Sequence, residues 1–390
     1  MSLSSNIHPA LAPFSSSRAG LSLRNRAAVA PMSRVSTAGD GVPTDAMKRY
    51  YADFARGGFG LIVTEGTYPD LAHSQAYARQ PGLATEAQVN AWRSIVSEVH
   101  AAGAKIVVQL MHAGALVQGN RHSAESVAPS AITPKGEKMS EYGGEGPYAT
   151  PRAMVEADFR TITEAFVRAA RRARDAGFDG VEIHAANGYL FDQFLTTYTN
   201  ARTDEYGGPV ENRIRFTAEV LRAIVQAVGP TFVVGVRLSE AKVNDKSYTW
   251  PGGVEEARTI FTTVRDAGAS YLHIAGEGRA FAFSSHLRDG LTLPQLARQV
   301  TGLPVIANGN LHDPSSAARA LEDGHADILA LGRAALANPD WPTRLAQGRP
   351  FEPFDHAILH PAASLENAAS WRAAQLKTRQ SSDDMLALRA

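Results

Sequence analysis

A chain of 390 residues with 44% hydrophobic content can bury a large core, and it exceeds the roughly 250 residues of a typical (β/α)8 barrel. Lys plus Arg equals Asp plus Glu at 39 each, so no net field draws it to nucleic acid or anionic lipid. With no cysteine, disulfides, thiolate catalysis and Cys-held iron–sulfur clusters are excluded, and thiols say nothing about the redox compartment.

The N-terminal stretch MSLSSNIHPALAPFSSSRAG lacks the continuous apolar region of a signal peptide, and no run approaches the length that spans a bilayer. The protein therefore reads as cytoplasmic, with no membrane partner. Short apolar runs then alternate with amphipathic segments: Ala27–Pro31, Gly60–Thr64, Lys105–Leu110, Gly180–His184, Phe232–Leu238, Tyr271–Ala275, Pro304–Ala307 and Asp327–Leu331. Eight strands is the count of a closed barrel. Helices over Glu86–Ala102, Glu156–Ala176, Glu211–Val228 and Val254–Ala267 stop at Gly103, Gly177, Gly229 and Gly268, residues suited to the left-handed position past a helix end. Repeated strand, helix and glycine stop predict parallel βα units in an α/β (β/α)8 TIM barrel. We expect one domain over residues 1–390 with its core at about 27–350. The long departure is Ala113–Arg152 after strand three, rich in Gly, Pro and Ser, which is either a cover over the site or a surface hairpin. Ser364–Ala390 reads as a helical or frayed tail that can reach a neighbouring copy, so a homo-oligomer stays open.

Barrel active sites form at the C-terminal ends of the strands. Standing there are Met32 and Ser33, Glu65 and Gly66, Gln109 and His112, His184, Arg237, Gly276, Gly309 and Asn310, and Gly332 and Arg333. The glycine loops after strands seven and eight form the usual phosphate site of this architecture, with Arg333 as a bidentate cation; a helix cap or a solvated Arg explains Gly332-Arg333 equally well.

The segment from Val181 to Gly208 carries the most chemistry. His184 stands at a strand end, Asn187 follows three residues later in a turn, and Tyr189 comes after Gly188. Imidazole and carboxamide both offer N–H donors to an oxygen that gains negative charge during a reaction, and a phenol beside them is a proton donor. A lone His here would be a satisfied core residue; the cluster argues otherwise. Gln109 and Arg237 point toward the barrel mouth, where an amide and a permanent cation need partners. A flavin suits both, because its pyrimidine edge alternates acceptors with a donor and its reduced ring is anionic. An internal ion pair of Arg237 with Glu182 is the other reading and is compatible with the first.

The segments Ala30-Pro-Met-Ser-Arg34, Leu61-Ile-Val-Thr-Glu-Gly66, Gln109-Leu-Met-His-Ala-Gly114, His184-Ala-Ala-Asn-Gly-Tyr189, Asp192-Gln-Phe-Leu195, Asn200-Ala-Arg-Thr-Asp-Glu-Tyr-Gly-Gly208, Val236-Arg-Leu-Ser239, Ala307-Asn-Gly309 and Leu331-Gly-Arg333 together resemble the old yellow enzyme family of FMN-dependent ene-reductases. The resemblance covers about Ala27–Pro339. It implies noncovalent FMN, reduced by NADPH or NADH and reoxidised by an activated alkene in a ping-pong cycle. By position, His184 and Asn187 would hold the substrate carbonyl oxygen while hydride reaches Cβ from flavin N5, and Tyr189 would protonate Cα from the opposite face. Gln109 and Arg237 would bind the pyrimidine edge and Ser33 would lie near the flavin C4=O and N5. Pro31, Met32 and Gly66 would touch the ring through backbone, and Gly309, Gly332 and Arg333 would take the phosphate. No Rossmann glycine fingerprint occurs, which fits nicotinamide visiting the substrate pocket.

Some relatives carry Cys where Ser33 stands, or Trp or Ala where Met111 shapes the substrate pocket, so flavin potential and pocket size stay open. Members that reduce dienoyl-CoA hold a Cys-bound cluster, for which this sequence has no ligands. A metal-dependent or Schiff-base lyase would need convergent ligands or an inward Lys at a strand's C-terminal end, and Lys105 begins its strand at the other end. No metal site is expected. A non-catalytic flavin carrier would leave Tyr189 without purpose. Within the flavin reading, the alternative is reduction of nitro compounds, nitrate esters or quinones on the same site.

Overall fold

The computed structural model describes residues 7–17, 19–276 and 290–375. Eight parallel strands close into a barrel in chain order: β1 (Ala27–Val29), β2 (Leu61–Val63), β3 (Lys105–Leu110), β4 (Gly180–Asn187), β5 (Val233–Lys242), β6 (Tyr271–Ile274), β7 (Val305–Asn308) and β8 (Ile328–Leu331). All eight predicted strands are present. The predicted (β/α)8 barrel with a long insertion after the third strand is the observed fold.

The strands are followed by α1 (Asp45–Arg56), α2 (Glu86–Ala101), α3 (Glu156–Ala176), α4 (Arg215–Val228), α5 (Gly253–Asp266), α6 (Leu293–Thr301), α7 (Pro314–Glu322) and the short α8 (Arg333–Ala337). Their starts are chemically marked. Thr85 and Gln88 form a reciprocal capping box on α2, Thr292 and Gln295 do the same on α6, and Asp313 accepts the Ser316 N–H ahead of Pro314 on α7. The predicted glycine stops all have positive φ, between 79° and 103°. One predicted helix is corrected: Glu211–Val228 is broken at Ile214, with a single turn over Val210–Arg213 ahead of α4.

Two strands run further than predicted. β4 reaches Asn187 and β5 reaches Lys242, because the two pair across a bulge between Ala185 and Asn187 that a sequence period cannot register. An unpredicted antiparallel hairpin, Phe14–Ser16 with Leu21–Leu23, precedes the barrel. Its Phe14, Leu21 and Leu23 pack with inward residues Ala28, Leu61, Val107, Val233, Ile306 and Ile328. Each large side chain buried there is worth roughly 1.5–3 kcal/mol, so the hairpin closes one end of the barrel as a plug.

Between β3 and α3, residues 113–152 form an irregular cover tied down by a two-residue parallel pairing, Val127–Ala128 with Arg152–Ala153. At the other end of the chain, residues 365–375 are helical, and the remaining tail to 390 lies outside the described residues, as do residues 1–6. No helix among the described residues is long and apolar enough to cross a membrane.

Candidate active site

Alternation along the strands turns Gln109, Glu182, His184, Arg237, Tyr271 and His273 into the barrel, and all six are buried. Glu182 is the hub. One of its oxygens accepts from Gln109 Nε2 at 2.7 Å; the other meets the Tyr271 hydroxyl and His273 Nδ1, each at 2.9 Å. Gly235 makes this possible, since a Cβ there would sit 2.1 Å from the Tyr271 ring. Burial pushes the Glu182 carboxyl up, but His273, Arg237 and Gln109 outweigh it and hold it down at about 2. Glu182 is thus an anion throughout the working range, and Arg237 is one of the cations that keep it so.

Above this layer the bulge turns the chain. Asn187 has φ +66°, a left-handed conformation that Asn tolerates better than most residues. Every peptide nearby is tied. The Asn187 N–H donates to Ser239 Oγ at 2.8 Å, and its carbonyl accepts from Val243 at 3.1 Å. The Gly188 N–H donates to Asp192 at 2.6 Å, and its carbonyl accepts from Gln193 Nε2 at 2.7 Å. Asp192 in turn accepts from Lys242 Nζ at 2.6 Å, with both side chains at most 1% exposed. Burial pushes the Asp192 carboxyl up and the Lys242 ammonium down, and their mutual attraction opposes both shifts. The result is a rigid platform for residues 184–189.

His184 and Tyr189 meet edge to face with ring centroids 5.0 Å apart. Burial and the Arg237 charge lower the His184 pKa well below the ordinary value, so its ring is neutral at physiological pH. His184 Nδ1 and the Asn187 side-chain oxygen are buried without a hydrogen-bond partner among the described residues. Such groups cost free energy until something satisfies them, and a half-turn of the carboxamide lets it present either oxygen or nitrogen.

These groups open on a cavity of about 450 Å³ at the C-terminal end of the strands, within the range of ~300–1,000 Å³ common for small-molecule and cofactor sites. Every site residue expected from the sequence lines it: Pro31, Met32, Ser33, Gly66, Gln109, Met111, His184, Asn187, Tyr189, Arg237, Gly309, Gly332 and Arg333. His112 and Glu65, which also stand at strand ends, do not. His112 Nδ1 accepts the Gly114 N–H at 3.1 Å, and burial lowers its pKa to about 4. Glu65 lies behind the cavity wall, accepting the Arg34 N–H at 2.8 Å and the Tyr51 hydroxyl at 3.2 Å, and so anchors the Pro31–Arg34 loop. Burial pushes it up to about 7, against the hydrogen bonds and charge of Arg34.

Sequence reasoning missed the roof. Tyr77 comes from the loop between β2 and α2, and Met139 and Tyr142 come from the insertion; all three line the cavity. The insertion is therefore a cover over the site. Tyr77 and Tyr142 stack at a tilt with centroids 4.7 Å apart, and the Tyr77 and Tyr189 hydroxyls are hydrogen-bonded. No period or motif marked these residues; only the unusual length of the loops hinted at them.

The cavity fits FMN. Its wall pairs an amide and a guanidinium, Gln109 and Arg237, for a pyrimidine edge, and offers unsatisfied buried polar atoms beside them. At its other side the loops after β7 and β8 meet through Arg333 Nη2, which donates to Asn310 Oδ1 at 2.9 Å. There Gly309 has φ +134° and Gly332 caps α8 without a side chain, leaving backbone N–H groups open to an anion. No group of three His, Asp or Glu residues suited to a metal occurs among the described residues.

Residues 13–352 match the NADH:flavin oxidoreductase / NADH oxidase family. A probable flavin mononucleotide-dependent alkene reductase of Leishmania infantum is 36% identical over 352 residues, covering 87% of this chain and 92% of that one. The structure of morphinone reductase in complex with tetrahydroNAD superposes with a TM-score of 0.77 at 34% identity, over 89% of this chain and 92% of that chain. The old yellow enzyme homologue of Zymomonas mobilis gives 0.79 at 33% identity, over 88% and 94%. The chain belongs to this FMN-dependent family, the old yellow enzyme family, and is an NAD(P)H-dependent flavin oxidoreductase acting on small molecules.

Proposed function

We propose that the protein is an ene-reductase, taking hydride equivalents from NADPH or NADH and reducing the C=C bond of α,β-unsaturated carbonyl compounds. The observation that carries this is the pairing of a neutral His184 and Asn187, both with unsatisfied buried polar atoms, beside the phenol of Tyr189 in one cavity. Relatives named as an alkene reductase and as morphinone reductase support the same reading.

Gln109, Arg237, Ser33 and the backbone of Pro31, Met32 and Gly66 would hold the ring of FMN, and Gly309, Gly332 and Arg333 its phosphate. Bound FMN would supply the redox chemistry, the uptake of hydride from nicotinamide and its delivery to Cβ of the alkene. His184 and Asn187 donate hydrogen bonds to the carbonyl oxygen, which becomes an enolate oxygen as hydride arrives; donors already fixed in a water-poor site need no reorganisation then. Because His184 is neutral, it stabilises by hydrogen bonding rather than by a full charge. Tyr189 transfers its proton to Cα, completing net addition of H2. Met111 and Met139 shape the pocket without offering a competing acid.

The test is anaerobic. NADPH should bleach the yellow holoenzyme and an enone such as cyclohexenone should restore its colour. Tyr189→Phe should retain bleaching but slow recolouring by the enone at least tenfold. Equal slowing of both half-reactions would refute the assignment of Tyr189 as acid.

A further inference from the structure

Proton donation to carbon leaves a negative charge on the donor, and the structure supplies a group that meets it. The Tyr77 hydroxyl is hydrogen-bonded to the Tyr189 hydroxyl, inside an apolar cluster of Val35, Ala76, Met111, Ala113, Leu116 and Tyr148. A phenolate formed there would be costly without a donor aimed at it. Tyr77 is 1% exposed and belongs to neither the strand ends nor the motif that holds Tyr189.

The loop that carries Tyr77 is fixed on both sides. Ala76 donates its N–H to Gln80 Oε1 at 2.7 Å while its carbonyl accepts from Gln118 at 2.8 Å. Arg79 is clasped to Thr37 by two hydrogen bonds, of 2.7 Å from its Nε and 3.2 Å to its carbonyl. Gln80 Nε2 donates at 2.7 Å to the carbonyl of Gly66, a cavity residue. Tyr77 is thus placed relative to the cavity floor, not only to its own loop. Burial, with the neighbouring phenols Tyr189 and Tyr142 adding to it, pushes its own pKa well above the ordinary value, so Tyr77 keeps its proton and serves as a donor.

We propose that Tyr77 is a positioning residue for Tyr189: it sets the direction of the Tyr189 O–H and donates a hydrogen bond to the phenolate that remains after proton transfer. The inference rests on the reading of Tyr189 as the acid. In the step, the enolate electron pair forms the Cα–H bond, the Tyr189 O–H bond breaks, and the charge moves to the Tyr189 oxygen. Tyr77 shares its hydrogen with that oxygen without giving it up, and water later restores the Tyr189 proton.

Carbon needs a placed acid, whereas an oxygen anion takes its proton readily from water. The distinction provides an internal control: the same reduced enzyme reoxidised by an enone or by a quinone. Tyr77→Phe removes one oxygen and keeps the ring packed on Tyr142. We expect flavin reduction by NADPH and reoxidation by a quinone within about twofold of wild type, and reoxidation by cyclohexenone ten- to a hundredfold slower, the loss of one hydrogen bond to a charged group. In Tyr77→Phe/Tyr189→Phe the enone rate should match that of Tyr189→Phe alone, because no phenolate forms for Tyr77 to meet. Equal slowing with enone and quinone, or multiplying losses in the double variant, overturns the proposal in favour of a packing role. A wild-type enone rate in Tyr77→Phe, with Tyr189→Phe slow, overturns the role of Tyr77 alone; a wild-type rate in Tyr189→Phe overturns the acid assignment itself.

Discussion

Replacing Glu182 by Gln isolates the charge at the bottom of the site while keeping its shape. Gln109, Tyr271 and His273 converge on this carboxylate; burial would raise its pKa, but His273, Arg237 and Gln109 hold it at about 2, against an ordinary 4.5. A carboxylate held below its unfolded value adds stability above that value and loses it as pH falls toward the folded one. That lowering converts to about 3 kcal/mol of stability at pH 7 and about 1 kcal/mol at pH 3. Glu182→Gln forfeits that contribution, and its NH2 group also faces a donor, which Tyr271 can relieve by rotating its hydroxyl. The assay is urea unfolding of apo and FMN-loaded protein at pH 7 and pH 4, where the wild-type advantage should be about 3 kcal/mol and then smaller. With one anion gone beside Arg237, the flavin potential should also rise. An advantage that stays constant or grows on acidification would refute the reasoning, because the electrostatic share would then be absent.

His184→Ala should weaken binding of a phenol ligand more than tenfold, read from the charge-transfer band, and unchanged affinity would remove His184 from the substrate site. Since His184 is already neutral, its own titration should add no step to the affinity for a non-ionising carbonyl ligand between pH 8 and about 5.5; a step near 6.5 that persists in Glu65→Gln would contradict the lowered pKa. Lys242→Met leaves Asp192 charged and buried, and should cost about 3–5 kcal/mol in chemical unfolding, with Asp192→Asn restoring part of it because the amide still accepts from Gly188. Gly66→Ala places a Cβ 2.3 Å from Met111 Sδ, so it should loosen FMN retention measurably by fluorescence titration; identical affinity would mean that Met111 swings aside freely.

The barrel was legible because each strand is a short, mostly apolar run and each predicted helix stop is a glycine, features written within a few residues of where they act. His184, Arg237 and Gln109 followed from their places at the C-terminal ends of predicted strands. What stayed hidden depends on distant pairing. The turn at Asn187 goes with its own pairing to Lys242, 55 positions later, across a bulge. Lys242 and Asp192 look like surface charges in a sequence, and only the fold brings them to 2.6 Å. The two readings of Arg237, toward a flavin or toward Glu182, are compatible: the cation lies at the cavity wall, where the proposed flavin would meet it, and its charge also helps hold Glu182 ionised.

Floor and roof of the cavity are built on different electrostatic plans, and the two half-reactions proposed above give each a use. Below, Glu182, His273 and Arg237 form a charged network buried in the barrel, where fixed charges tune a redox group without reorganising. Above, Tyr77, Tyr142 and Tyr189 form a layer of phenols in which burial keeps Tyr77 protonated. In the proposed cycle these phenols offer a proton without setting a fixed charge of their own against the nicotinamide or the alkene. A neutral floor would leave the electron-rich reduced cofactor unstabilised between them. His184 sits at the boundary, its ring kept neutral mainly by burial and secondarily by the Arg237 charge from the floor. In the proposed role it would therefore donate to a substrate oxygen without adding a charge of its own.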